Sequence, residues 1–166
     1  LLMGSDYDED GRLAREGKLD EDLLSRLMDF SFYKRDIPRS LHTYQINNEF
    51  MPVLDLSPGT INDKLRTVTE HIAGQIAGHI EINSSSDIQD SPVLLTGGGA
   101  LNTFLVERIR ALSNREIVVP EPVVVEYKEA LIMAVLALLR MRGRENCRAS
   151  VTGARRDSTG GAWYAV

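Results

Sequence analysis

Apolar positions recur along this chain in two kinds of run, spaced as on one face of a helix or unbroken and short. Leu23, Leu24, Leu27 and Met28 recur at three- and four-residue spacing, which predicts a short helix over residues 20–30 with Asp20 as its cap. Ile61, Leu65, Val68, Ile72, Ile76 and Ile80 fall on one stripe and predict the longest helix, residues 60–82. Thr60 with Asp63 fits a capping box loosely there, since the third helical position prefers Glu or Gln. Leu101, Phe104, Leu105, Ile109 and Leu112 predict a helix over 101–112. Residues 126–142 predict a last helix, nearly apolar all round from Ala130 to Leu139 as a core helix is, with Glu126 and Glu129 in its first turn. Val93-Leu94-Leu95 and Ile117-Val118-Val119 are unbroken short runs and read as buried strands, the second ended by Pro120.

Between these elements the chain is polar. Residues 1–18 and 83–91 read as loops, Pro38 disfavours helix at Ile37, and a helical turn over 49–51 is expected before Pro52. The order is helix, strand, glycine turn, helix, strand, helix, with the two strands as parallel neighbours joined by a right-handed crossover. Parallel sheets are normally covered on both faces, and two strands make a poor core. The chain opens on Leu1-Leu2-Met3-Gly4 with no initiator methionine. Both points predict that it begins inside a longer chain whose missing strands lie upstream.

The turn after the first strand carries the candidate chemistry. Gly97, Gly98 and Gly99 leave no side chain between backbone and ligand, and glycine allows positive φ. The N–H groups that open a helix have no partner within it, and the positive end of its dipole lies there. A strand, a glycine turn and a helix start therefore make a site for an anion, most often a phosphate. The other reading of a glycine turn is geometry alone. A dinucleotide-binding fingerprint is the rival: Gly97 and Gly99 fit its first two positions, and Glu121 could bind a ribose, but Asn102 stands where the third glycine belongs.

Composition narrows the classes. The chain is 43% hydrophobic and 26% charged, as a folded domain is, and its net charge of −5 argues against nucleic-acid binding. Cys147 is the single cysteine, which excludes an internal disulfide and a cysteine metal cluster. No apolar run approaches a membrane span, and the start has no signal-like pattern. Asp6-x-Asp8-x-Asp10-Gly11 imitates the opening of a calcium loop, but Gly17 stands where the closing Glu belongs, so a solvated acidic turn is the better reading. His42 has no second ligand at metal spacing and reads as a surface or hydrogen-bonded histidine, while His71 and His79 lie two turns apart, too far for one metal, and read as solvated. Ala73-Gly74 and Ala77-Gly78 predict close approach of another backbone to the long helix.

Six segments together resemble the C-terminal part of the anhydro-N-acetylmuramic acid kinases. They are Tyr7-Asp8-Glu9-Asp10-Gly11-Arg12-Leu13-Ala14, Gly17-Lys18-Leu19-Asp20, Pro38-Arg39-Ser40-Leu41, Leu94-Leu95-Thr96-Gly97-Gly98-Gly99-Ala100-Leu101-Asn102, Lys128-Glu129-Ala130-Leu131 and Ser150-Val151-Thr152-Gly153-Ala154. Many sugar kinases share the glycine motif; its combination with the last two segments is specific.

The resemblance implies an α/β fold: the C-terminal part of a ribonuclease-H-like, actin-like ATPase domain, helix-rich with a short parallel sheet. Residues 1–56 would form a helical and loop insert, and residues 57–166 the core with the nucleotide-side turn. It implies a cytoplasmic enzyme of cell-wall recycling that uses ATP and Mg2+. Such an enzyme opens the 1,6-anhydro bond of anhydro-N-acetylmuramic acid with water and phosphorylates O6. Gly97, Gly98, Gly99 and Asn102 would line the ATP side, and Glu129 would lie near the sugar. The family's phosphate loop and its Asp-Thr-Gly-Pro-Gly-Asn motif, whose Asp is the base, do not occur in this sequence. The expectation is therefore no catalytic residue and no metal ligand in this chain, inactivity of the chain alone, a missing N-terminal domain as partner and a homodimer. The alternative is a nucleotide- or sugar-binding regulatory module of the same fold without catalysis.

Overall fold

The computed structural model of the chain describes residues 7–35, 40–82, 91–162 and 164. The expected loop at 83–90, the Pro38 connector with Arg39, and Asp6 of the acidic turn lie outside the described residues. The chain divides into two compact units, Leu1–Val119 and Pro120–Val166.

The first unit is built around one long helix. In chain order its elements are α1 (Arg12–Glu16), α2 (Glu21–Met28), α3 (Thr43–Gln45), α4 (Met51–Asp55), α5 (Ile61–Ile82), β1 (Val93–Leu94), α6 (Thr103–Leu112) and β2 (Ile117–Val118). Helices α1, α2 and α6 all pack on α5. The strands pair in parallel, with Val93 opposite Ile117 and Leu94 opposite Val118, as the sequence pattern predicts. Ala73, Ile109 and Ile117 are the buried centre where α5, α6 and β2 meet, and Ile76, Ile80, Val93, Leu95 and Leu105 pack around them. Leu94 on β1 is 58% exposed.

Helix α2 follows its local signals. Asp20 accepts from Leu23 N at 3.0 Å, which caps the first turn. Eight residues are too few for a stable isolated helix, so tertiary packing must hold it. Leu23 and Leu27 are fully buried, each contributing roughly 2 kcal/mol by removal from water. Leu24 is only partly buried and Met28 is exposed, so the buried face is narrower than the sequence pattern.

Four expectations are corrected. First, residues 1–18 are not all loop, because α1 forms there. Asp8 takes Leu13 N at 2.9 Å and Ala14 N at 3.0 Å on its two carboxylate oxygens, which satisfies donors that a helix start leaves open.

Second, the isoleucine stripe of α5 is not its buried face. Thr67, Thr69, His71, Ala73 and Ala77 are buried, while Ile61 and Ile72 are exposed. Packing on several sides replaces the single stripe that a helix on one surface would show. The alanines do meet close neighbours, but a Cβ on Gly74 or Gly78 would meet nothing within 4 Å, so the glycines serve no close approach.

Third, residues 43–55 are helical throughout, with Pro52 inside. A π-helical stretch, Ile46–Phe50, precedes the proline. Proline lacks an N–H and clashes with the carbonyl four residues back, and the wider π turn accommodates both. Fourth, His71 is buried and His79 exposed, so only one of the pair is solvated. His42 is exposed as expected, and its N–H donates to Gln45 Oε1 at 3.2 Å.

The capping box at Thr60 closes fully despite the Asp. Asp63 N donates to Thr60 Oγ1 at 3.2 Å, and Thr60 N donates to Asp63 Oδ2 at 3.0 Å. Asp63 also accepts the Thr60 hydroxyl at 2.6 Å and Lys18 N at 2.7 Å. These donors, the Thr60 hydroxyl first, hold its carboxyl below the usual range.

The second unit holds α7 (Pro122–Met141) and α8 (Ala149–Thr152). Helix α7 begins four residues before the expected start, with Pro122 at its first position, where a missing N–H does no harm. Glu126 and Glu129 therefore lie beyond the first turn. Val125 is its buried residue, and Tyr127, Leu131 and Met133 are among many exposed apolar side chains, so α7 is not the buried core helix its composition predicts. Cys147 bridges Ser158 in antiparallel fashion, and Asp157 caps α8 by accepting Ala149 N at 2.7 Å.

Candidate functional site

The glycine turn leaves the sheet at the end of β1, where Leu95 N donates to Val118 O at 2.8 Å. Gly97 turns the chain at φ +86°, a conformation that side-chain-bearing residues rarely adopt. A 3-10 turn, Gly98–Leu101, follows, so the regular helix starts at Thr103, two residues later than the apolar spacing predicts. Asn102 is the cap: its Oδ1 accepts from Leu105 N at 2.9 Å.

The protein's own packing does not account for the glycines at 98 and 99. A Cβ on Gly98 would meet nothing within 4 Å, and one on Gly99 would meet only Leu105 Cδ2, at 3.8 Å. Gly98, Gly99 and Asn102 line a cleft of about 760 Å³. Its other walls are Leu65 and Thr69 of α5, Leu101 and Leu105, and the acidic segment Tyr7, Asp8, Glu9 and Asp10. The structure thus brings three of the four predicted nucleotide-side residues to one cavity, with Gly97 at the hinge beside it.

The acidic wall was legible in the sequence only as a solvated turn. Tyr7, Glu9 and Asp10 are indeed exposed, and the segment also bonds to the start of α6. Thr103 Oγ1 donates to the Asp10 carbonyl at 3.1 Å. Arg15 of α1 grips Glu107 of α6 through two bonds of 2.7 and 2.8 Å, and its guanidinium holds the Glu107 carboxyl below its usual range. Phe104 lies between Arg15 and Arg66, whose guanidinium carbons stand 4.8 and 5.0 Å from its ring centre. No sequence signal joins residues 92 positions apart.

Backbone N–H groups and the Asn102 amide can hold an anion or a polar ring edge at this cleft. Asp8 is already engaged by α1. Among the described residues no group of three His, Cys, Asp or Glu side chains is placed to hold a metal ion. Glu129 stands exposed on α7 of the second unit. No helix among the described residues is long and apolar enough to cross a membrane.

Comparison with known proteins is consistent in its outcome. Residues 2–166 match the family model for anhydro-N-acetylmuramic acid kinase. A protein of that name from Aliivibrio fischeri is 30% identical over 165 residues, which is 97% of this chain and 44% of the relative. One from Sulfurovum sp. is 31% identical, covering 95% of this chain and 43% of the relative. One from Actinobacillus pleuropneumoniae is 29% identical, covering 99% and 45%. The chain therefore spans a little under half the length of the curated relatives it matches.

Proposed function

The chain belongs to the anhydro-N-acetylmuramic acid kinase family, and on that premise we propose that it forms part of an ATP-dependent sugar kinase, with the glycine turn as its nucleotide-facing wall. The reaction would open the 1,6-anhydro bond of anhydro-N-acetylmuramic acid with water and place a phosphoryl group on O6, in the cytoplasm. The observation that carries the nucleotide reading is that Gly98 and Gly99 line the cleft while a Cβ on Gly98 would meet nothing within 4 Å and one on Gly99 only the Leu105 side chain. A ligand that approaches the backbone closely would give glycine an advantage there.

When bound, ATP supplies the phosphoryl group. The N–H groups that open the 3-10 turn would face its phosphates, and Asn102 would fix the direction of that turn. With no preformed metal set among the described residues, magnesium would arrive with the nucleotide and be held chiefly by phosphates and by residues elsewhere. Glu129 would contact the sugar. The general base and the phosphate-gripping loop would come from an N-terminal portion that the relatives possess and this chain does not span. Residues 1–166 alone are accordingly expected to be inactive, and the working form to be a homodimer of the longer chain.

The test is ADP titration by calorimetry against the native protein and its Gly98→Val form. The valine should leave thermal stability unchanged, since its site is open, and should weaken ADP binding at least tenfold. Unchanged affinity would remove the nucleotide role from this turn. The intact mass of the native protein is expected well above 18.5 kDa. A mass near that value, with ADP bound but no turnover, would favour the regulatory module.

A further inference from the structure

The acidic segment that shares the cleft with the glycine turn is joined to the start of α6. Gly11 is buried and sits at φ +68°. A Cβ on it would lie 2.5 Å from Asn102 Oδ1 and 2.7 Å from Phe104 Cβ. That oxygen is the same atom that caps α6 through Leu105 N. Asp8 holds the segment in place from the other side. Its carboxylate accepts Leu13 N and Ala14 N, and its carbonyl accepts Gly11 N at 3.2 Å. Thr103, the residue after Asn102, donates its hydroxyl to the Asp10 carbonyl.

Each contact fixes one coordinate of the Asn102 cap. Gly11 sets how near the α1 side approaches Oδ1. The Thr103 bond ties the first residue of α6 to the acidic segment. Asp10 itself lies at φ 56°, a left-handed conformation for a residue with a side chain, so the segment turns sharply where it meets α6. Residues 7–10 and Gly98, Gly99 and Asn102 then stand as walls of one cleft.

We propose that Gly11 and Thr103 are positioning residues for nucleotide binding. They hold the Asn102 cap, and with it the 3-10 turn, at the angle that aims the glycine N–H groups into the cleft. The inference rests on the nucleotide reading of the glycine turn and adds a part to it that touches no ligand. The acidic segment acts through the backbone of α6, and the carboxylates of Glu9 and Asp10 are not required.

The experiment titrates ADP into the native protein and its Thr103→Val, Thr103→Ser, Gly11→Ala and Gly98→Val forms, with melting temperature and, for the active enzyme, KM for ATP and kcat read alongside. Thr103 is exposed, so its valine form folds. Thr103→Val should weaken ADP binding about three- to tenfold, the range that one hydrogen bond spans. It should raise KM for ATP with kcat and melting temperature unchanged, and Thr103→Ser should restore the native value. Gly11→Ala should weaken ADP more, and where it fails to fold, Thr103→Val decides. If Gly98→Val weakens ADP while Thr103→Val binds it normally, the positioning role is wrong and the nucleotide reading stands. If Gly98→Val binds ADP normally, both fall. A loss at Thr103→Val that follows a drop in melting temperature would also overturn the proposal, by making the bond merely structural.

Discussion

Gly17 stands directly against Asn62: a Cβ on Gly17 would lie 2.0 Å from the Asn62 carbonyl oxygen and 2.8 Å from Asp63 N. Here the end of α1 meets the first turn of α5, backbone to backbone, so no side chain can rotate away. Gly17→Ala should therefore destabilise the protein by about 2 kcal/mol or more, read as a lower urea midpoint. An unchanged midpoint would mean that this contact is not formed in solution.

Two other glycines predict the opposite sign. Gly74 and Gly78 lie inside α5 with open space where a Cβ would go. Alanine at either removes backbone freedom from the unfolded chain and meets nothing in the folded one. Each substitution should raise stability by about 0.5–1 kcal/mol. A loss at either position would show that a neighbour packs there.

His71 makes stability depend on pH. It is 1% exposed, its Nε2 lies 2.8 Å from the Tyr33 hydroxyl, and its Nδ1 has no hydrogen-bond partner among the described residues. Burial lowers its pKa from the ordinary histidine value. The unfolded chain, titrating at about 6.5, then binds more protons than the folded one below that pH. Stability should be level above roughly pH 7 and fall as the pH drops through about 6.5 toward the folded value. The depressed carboxyls of Asp63, Glu107 and Asp157 act in the same direction, but only at lower pH, where carboxylates protonate. His71→Phe should flatten melting temperature between roughly pH 7 and 5.5 and leave the acid limb in place. A slope that survives the substitution would assign the effect elsewhere.

Glu129 tests the sugar side. It is exposed on α7, so Glu129→Gln should leave the melting temperature alone. In the active enzyme it should raise KM for the anhydro-sugar by about tenfold, the scale of a hydrogen bond to a charged group, and leave KM for ATP unchanged. Equal rises in both would argue for a general disturbance instead of sugar contact.

What was legible in the sequence was local. Asp20 caps α2, the β1 and β2 runs pair in parallel, and a helix follows the three glycines, because each signal and its effect lie within a few residues. Family membership was legible too, since motif order survives without knowledge of contacts. Helix α1 was not legible. It depends on a carboxylate outside the helix and on Gly11 in a left-handed turn at its start, an arrangement that polar composition hides. Pro52 misled because a proline signals an end only when the helix before it is regular.

Sequence by itself determined the longer elements: the helices α2, α5, α6 and α7, the two strands, and that three glycines separate a strand from a helix. Tertiary structure alone decided burial. Helix α5 has neighbours on several sides, so Thr67 and His71 are enclosed while Ile61 and Ile72 face out. It alone also set the acidic segment and the glycine turn on one cleft, across about ninety positions of chain. Periodicity reports the direction of a single apolar face; which surfaces meet, and which cleft they enclose, depends on contacts between segments that share no local pattern.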